Sequence, residues 1–211
     1  VHAVQAYSCD CEEDLNPIDL ITSLAVFFHD IGKPHCYQDG EDGIRHFKGH
    51  GKVSADMTDT IMKRLRFDND TREKVVQLVY YHDATFEVGE KYIKRWLNKI
   101  GEEQFRRLLN VRRADIKAQA YTEQESRLQK IDNIEYILEE VLQKDECFSL
   151  KDLAVNGNDL IEIGYKPGKE IGNTLNCLLQ LVIEGVYLNE KSELLKYVET
   201  TKEWMKLGEN Y

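Results

Sequence analysis

The sequence predicts an all-α protein in two parts, and three observations lead there. Its 211 residues hold only three prolines and 13 glycines, too few breakers for sandwiches or barrels, which turn about every 8–12 positions. Apolar residues recur at helical spacing, as in Phe105, Leu108, Leu109, Val111, Ile116 and Ala120. An apolar content of 42% with 31% charged residues is that of a soluble globular chain, neither disordered nor membrane-embedded.

The elements follow in order. Asn16-Pro17 reads as an N-cap with proline at the first helical position, opening an apolar, buried helix through Phe28. It stops at His29-Asp30-Ile31-Gly32-Lys33-Pro34, where glycine and proline end it. His35 to Gly51 is polar and glycine-rich, a loop composition. Helices resume over Lys52–Leu65, Thr71–Tyr81 behind an Asp70 cap, and Lys91–Lys99, in which Tyr92 and Trp96 are expected in the core. Glu102–Ala120 and Glu125–Leu142 follow, and a glycine-proline turn at Gly164 to Gly168 precedes two helices ending near Leu207. The charge balance flips near residue 121, which divides the chain into 1–121 and a helical arm and tail at 122–211.

The net charge of -10 is unevenly spread. Residues 1–42 carry one basic and nine acidic side chains, residues 43–119 carry 17 and 11, and residues 120–211 carry 10 and 18. A phosphate-bearing partner is expected on the basic middle, since acidic flanks repel it. Five cysteines, odd in number and without C-x-x-C spacing, indicate neither a disulfide framework nor a zinc ribbon, so no disulfide partner and a reducing cytoplasm are expected. The longest apolar runs, Leu20 to Phe28 and Thr174 to Ile183, reach about half the ~20 residues that cross a bilayer, so no membrane contact is expected. Because it opens on Val1 rather than Met, the chain is expected to be a piece of something longer.

His29-Asp30 is the informative pair. At the end of a buried helix an imidazole and a carboxylate lose several kcal/mol of hydration unless something pairs with them, and a metal ion does so well. Adjacent helical residues point about 100° apart, so the two reach one cation only at a helix end, or two cations side by side. His50 and His82 fall at the edges of later helices, and Asp115 interrupts an apolar face. That mixture of donors suits Zn, Mn, Fe, Co, Ni or Mg. The competing role for Asp115 is a salt bridge to Arg112 or Arg113.

The run Leu24 to Pro34 with its His29-Asp30 pair, followed by His50, His82 and Ala114-Asp115, resembles the HD superfamily of metal-dependent phosphohydrolases. Arg45 to Ala55, Leu65 to Asp70 and Asn158 to Gly172 narrow the likeness. They resemble the C-terminal half of bacterial CCA-adding tRNA nucleotidyltransferases, and the similarity covers essentially the whole chain. That resemblance implies an HD-type helical bundle followed by a smaller helical tail, with a divalent metal ion on His29, Asp30, His50, His82 and Asp115. The first histidine of the pattern is either His2, 27 residues before His29, or lies before Val1. The nucleotidyltransferase head is absent. Asp68-Asn69-Asp70 does not replace it, since it opens a helix with no strand or Gly-Ser before it, and it reads as a cap.

By this resemblance His29, Asp30 and Lys33 would serve hydrolysis of a phosphomonoester or a 2′,3′-cyclic phosphodiester, with Lys33 holding phosphate as a point charge. Asp83 is a candidate to orient His82. Arg106, Arg107 and Arg113 would meet tRNA or nucleotide phosphates, as would Lys166 and Lys169; without a partner those helices are a solvated face. Two other readings stand beside this one: a catalytically silent RNA-binding module, and a free-standing HD nucleotide phosphohydrolase.

Overall fold

A computed structural model describes residues 2–5, 7, 19–39, 45–119, 123–144 and 147–208. The expected N-cap at Asn16-Pro17 lies outside them. The described chain is all-α. Ten labelled helices run α1 Leu20–Phe28, α2 Lys33–Cys36, α3 His50–Arg64, α4 Asn69–Tyr81, α5 Glu90–Ile100, α6 Glu102–Ala118, α7 Gln124–Gln143, α8 Gly157–Glu162, α9 Lys169–Ile183 and α10 Lys191–Gly208. Residues 2–5 are helical as well. In the segment expected as a loop, α2 forms and the two-residue strands β1 Gln38–Asp39 and β2 Arg45–His46 pair antiparallel.

The chain forms two units, residues 1–87 with 101–133, and 88–100 with 134–211. In the first, α1 packs against α3, α4 and α6, and Ala25, Val26, Val75, Leu78, Phe105 and Leu108 are buried. α1 is less enclosed than an all-round apolar helix suggests, since Leu20 and Phe27 are 59% and 57% exposed. Its described start is capped by Asp19, whose carboxylate accepts the N–H of Thr22 at 3.0 Å and takes the guanidinium of Arg107 at 2.9 Å. Asp68, rather than Asp70, caps α4 by accepting the Thr71 N–H at 2.8 Å. Asp70 instead pairs with Lys74 at 2.7 Å.

α3 ends in a Schellman motif. The Phe67 N–H reaches Met62 O and the Arg66 N–H reaches Lys63 O, with Arg66 itself at φ 60°. Gly164 and Gly185 occupy the corresponding left-handed positions after α8 and α9, with the same pair of hydrogen bonds.

The second unit is built around Val155, Leu160, Leu178, Leu179, Ile183, Leu194 and Val198. α5 belongs to it because polar side chains tie it there: Arg95 forks onto Glu184 at 2.6 and 2.5 Å, Lys144 meets Glu90 at 2.8 Å, and Asn98 donates to Phe148 O at 3.0 Å. Trp96 is buried in this unit, as a core role requires. α8 starts with a capping box between Asn156 and Asp159. Among the described residues no helix is long and apolar enough to cross a membrane. Cys36, Cys147 and Cys177 are free thiols, while Cys9 and Cys11 lie outside the described residues.

Candidate metal centre

Four helix ends of the first unit meet. His29 is the C-cap of α1 and His82 the C-cap of α4. His50 is the first residue of α3, following Gly49 at φ 77°, and Asp115 sits in the last turn of α6. Two glycines permit this convergence. A Cβ on Gly32 would lie 2.6 Å from the backbone nitrogen of Ser54, and one on Gly51 would lie 3.1 Å from the carbonyl oxygen of Tyr80. The Gly32 N–H donates to Ser54 Oγ at 2.9 Å, joining the end of α1 to α3.

The three imidazoles are oriented alike. Nδ1 of His29, His50 and His82 lies 2.8, 2.8 and 2.7 Å from the carbonyl oxygens of Val26, Phe47 and Val79, each three residues earlier. A carbonyl only accepts, so Nδ1 of each carries a proton, and in the neutral ring Nε2 turns a lone pair inward. Val79, and not Asp83, therefore orients His82; Asp83 is 3.8 Å from His50 Nδ1 and 3.9 Å from Arg112.

Those inward atoms converge on Asp30. Its Oδ1 is 3.3 Å from His50 Nε2 and 3.6 Å from His82 Nε2, and its Oδ2 is 3.1 Å from His29 Nε2 and 2.6 Å from Lys33 Nζ. Asp115 Oδ1 lies 3.4 Å from His29 Nε2. Two groups of potential ligand atoms result, Asp30 with His50 and His82, and His29 with Asp30 and Asp115, sharing Asp30. Burial opposes charge on these groups, yet each sustains it. Burial works to keep His29 neutral, but hydrogen bonds that its Nε2–H donates to Asp115 and Asp30 raise its pKa to about 9, so Nε2 of His29 holds a proton that a bound cation would replace. Burial likewise opposes the Asp30 and Asp115 carboxylates, yet their imidazole neighbours hold Asp30 well below the usual carboxylate range and lower Asp115.

Two features fit a cation rather than a dry polar cluster. Asp30 Oδ1 is buried and accepts no hydrogen bond, which costs about 1–3 kcal/mol unless another positive group meets it. Nε2 of His50 and of His82 stand 3.0 Å apart with both Nδ1 protons committed elsewhere, so two lone pairs face each other. Cis ligands at right angles about 2.1 Å from one ion stand roughly 3.0 Å apart.

A cleft of about 370 Å³ opens onto this centre, lined by His2, Phe27, Lys33 and Gln119 among others. His2 lines it without joining either group of converging atoms. The basic residues singled out from the sequence lie elsewhere. Arg106 pairs with Glu102 at 2.9 Å, Arg107 with Asp19 and Glu103 at 2.9 and 2.7 Å, and Arg113 with Asp132 at 2.7 Å. Lys166 and Lys169 are exposed in the second unit. Sequence reasoning passed over Gln119, which donates to Asp115 Oδ2 at 2.8 Å; its only signal was a spacing of four from that aspartate.

Comparison with known proteins gives a consistent set of matches. The family model for tRNA nucleotidyltransferase domain 2 matches residues 38–198. A CC-adding tRNA nucleotidyltransferase of Thermus thermophilus is 28% identical over 163 residues, 77% of this chain and 36% of that protein. An A-adding tRNA nucleotidyltransferase of Deinococcus radiodurans is 27% identical over 165 residues, 77% of this chain and 37% of that one. A CCA-adding enzyme of Limosilactobacillus fermentum is 47% identical over 45 residues, covering 21% and 11%. No solved structure matches. The chain thus spans little more than a third of the two relatives it matches at greatest length.

Proposed function

The chain belongs to the tRNA nucleotidyltransferase domain 2 family, and from that premise we propose that it is the metal-bearing helical portion of a tRNA nucleotidyltransferase-like protein. The centre at Asp30 is read as an HD-type phosphohydrolase site acting on a phosphomonoester or a 2′,3′-cyclic phosphodiester. The single observation carrying this reading is the approach of His50 and His82 Nε2 to the buried, unaccommodated Oδ1 of Asp30. A divalent ion of the Ni, Mn, Mg, Zn, Fe or Co class bound there would supply an acidified water and offset charge on a phosphoryl group.

The protein's own groups have separable tasks. Val26, Phe47 and Val79 carbonyls fix the three imidazoles in one tautomer, so each Nε2 is held ready as a donor. Asp30 lies between the two groups of ligand atoms and keeps them in register. Lys33, 34% exposed beside the cleft, holds a phosphate oxygen as a point charge, exchanging part of its pairing with Asp30. Contact with tRNA falls to Arg106, Arg107, Arg113, Lys166 and Lys169. Arg106, Arg107 and Arg113 would have to leave Glu102, Asp19 and Asp132, so Lys166 and Lys169 are the ones to test first.

The test is turnover of 2′,3′-cyclic AMP and of 4-nitrophenyl phosphate by the chain with Mn, Ni or Mg. Activity that His82→Ala and Asp30→Ala abolish supports the reading. Metal bound without turnover of either ester under any metal overturns the phosphohydrolase assignment in favour of a silent RNA-binding module.

A further inference from the structure

We propose that Gln119 is a positioning residue for the metal centre and that Arg127 acts through it. The inference rests on the reading that Asp30, Asp115 and the three histidines hold a divalent ion. Asp115 presents its two oxygens to different neighbours. Oδ1 faces His29 Nε2 at 3.4 Å, while Oδ2 accepts from Gln119 Nε2 at 2.8 Å and stands 3.8 Å from Arg112 Nη1.

Gln119 is the C-cap of α6, in extended backbone at φ -86° and ψ 167°, with its N–H closing on Ile116 O. The chain leaves the helix there while the side chain turns back to Asp115, four residues earlier. A primary amide can present either end to a neighbour, and its orientation is decided by the surrounding hydrogen bonds. Here Arg127 Nη1 donates to Gln119 Oε1 at 2.6 Å. With the oxygen held by a cation, the NH2 is the end left to face Asp115.

The hydrogen bonds therefore run in one direction, from Arg127 to Gln119 to Asp115 Oδ2, each strengthening the next. Their effect is to commit Oδ2 to protein donors and leave Oδ1 to the centre, so that Asp115 serves as a one-oxygen ligand at a fixed rotation. The neutral amide makes the close contact with Oδ2 at 2.8 Å, while the Arg112 guanidinium stands further off at 3.8 Å. Arg127 supplies the charge one residue further out, from the start of α7. Asp132 plays no part in this chain of bonds, since it takes Arg113.

The experiment is calorimetric titration of the full chain with Mn(II), together with visible absorption of the Co(II)-loaded protein, for wild type, Gln119→Leu, Arg127→Met and the double variant. Gln119→Leu also removes two hydrogen bonds, so melting in the presence of chelator is followed alongside and affinity is compared at a temperature where every variant is folded. Gln119→Leu is expected to weaken Mn(II) binding roughly 10–100-fold, the range for loss of an outer-shell partner, and to alter the Co(II) bands. Arg127→Met should weaken binding less, and the double variant should bind no more weakly than Gln119→Leu alone. Wild-type affinity and unchanged Co(II) bands in Gln119→Leu would overturn the inference, as would fully additive effects of the two substitutions. If the wild-type chain binds no ion, the underlying reading of the centre fails and this inference with it.

Discussion

Gly32→Ala is the sharpest test of how the centre is assembled. Gly32 has an ordinary backbone conformation, φ -83° and ψ -14°, so any cost comes from space alone. The added methyl would sit 2.6 Å from Ser54 N, 2.9 Å from Ser54 Oγ and 3.0 Å from His50 O. Comfortable contact for carbon begins near 3.5 Å, so the end of α1 and the start of α3 have to part by roughly 0.5–0.9 Å. Two of the three obstacles are backbone atoms, which cannot rotate away.

Overpacking of this kind costs about 1–3 kcal/mol, and stretching the Gly32 N–H to Ser54 Oγ bond adds about 1 kcal/mol. The stiffer unfolded chain of an alanine returns about 0.4–1 kcal/mol. The expected loss is about 1–4 kcal/mol in urea unfolding of the first unit. The same movement carries His50 away from Asp30, now 3.3 Å apart, so Mn(II) affinity should fall at least about tenfold, the lower end for disturbed ligand support. Adding Ser54→Ala should not restore either quantity, because the nearest atom is the backbone nitrogen. Stability within about 0.5 kcal/mol of wild type with unchanged Mn(II) affinity would refute the reasoning, and rescue by Ser54→Ala would refute it equally.

Two further outcomes are expected. Arg66→Gly should stabilise the first unit by about 1 kcal/mol, since Arg66 holds a left-handed position that Gly164 and Gly185 fill elsewhere in the chain and that costs a side-chain-bearing residue about 1–2 kcal/mol; urea midpoints at constant m-value check it. Asp19→Asn keeps an oxygen that caps Thr22 but loses the charge that pairs with Arg107, and should cost about 1 kcal/mol at pH 7. Burial opposes the Asp19 carboxylate, but Thr22 and Arg107 outweigh it and lower its pKa below the ordinary 3.8. The contribution of its charge is therefore complete above about pH 4, and it is lost as pH falls through the lowered value. The gap between wild type and Asp19→Asn should be flat from pH 6 to 8 and shrink in acid when thermal unfolding is followed.

The longer helices were legible because their apolar spacing is strong, and their order came through with ends shifted by a few residues, whereas the short α2 and α8 carry too few residues to show a period. Among the candidate ligands, His29 and Asp30 stood out because ionisable residues at an apolar helix end are costly unless paired, while His50, His82 and Asp115 were joined to them by the HD-type pattern. What supports them was not legible. A carbonyl three residues back carries no sequence label, so Asp83, adjacent to His82, looked like the orienting group that Val79 in fact provides. The close approaches at Gly32 and Gly51 depend on contacts between α2 and α3 and between α3 and α4, which no local pattern encodes. Arg107 read as a surface cation because Asp19, its partner, lies 88 positions away. α5 falls within 1–121 by charge balance yet belongs to the second unit, because its ties to Glu184 and Phe148 are long-range.

The distribution of the potential ligands along the chain bears on how this protein unfolds. His29, His50, His82 and Asp115 stand at intervals of 21, 32 and 33 residues, so an ion held by all of them would tie three successive loops to one point. Such a tie restricts the denatured chain in the way a covalent cross-link does, and its effect grows only slowly with loop length. Resistance to denaturation in the first unit would then depend on the supply of free metal as well as on packing. The second unit, which contributes none of these side chains, would not share that dependence, so metal withdrawal should separate the melting of the two halves.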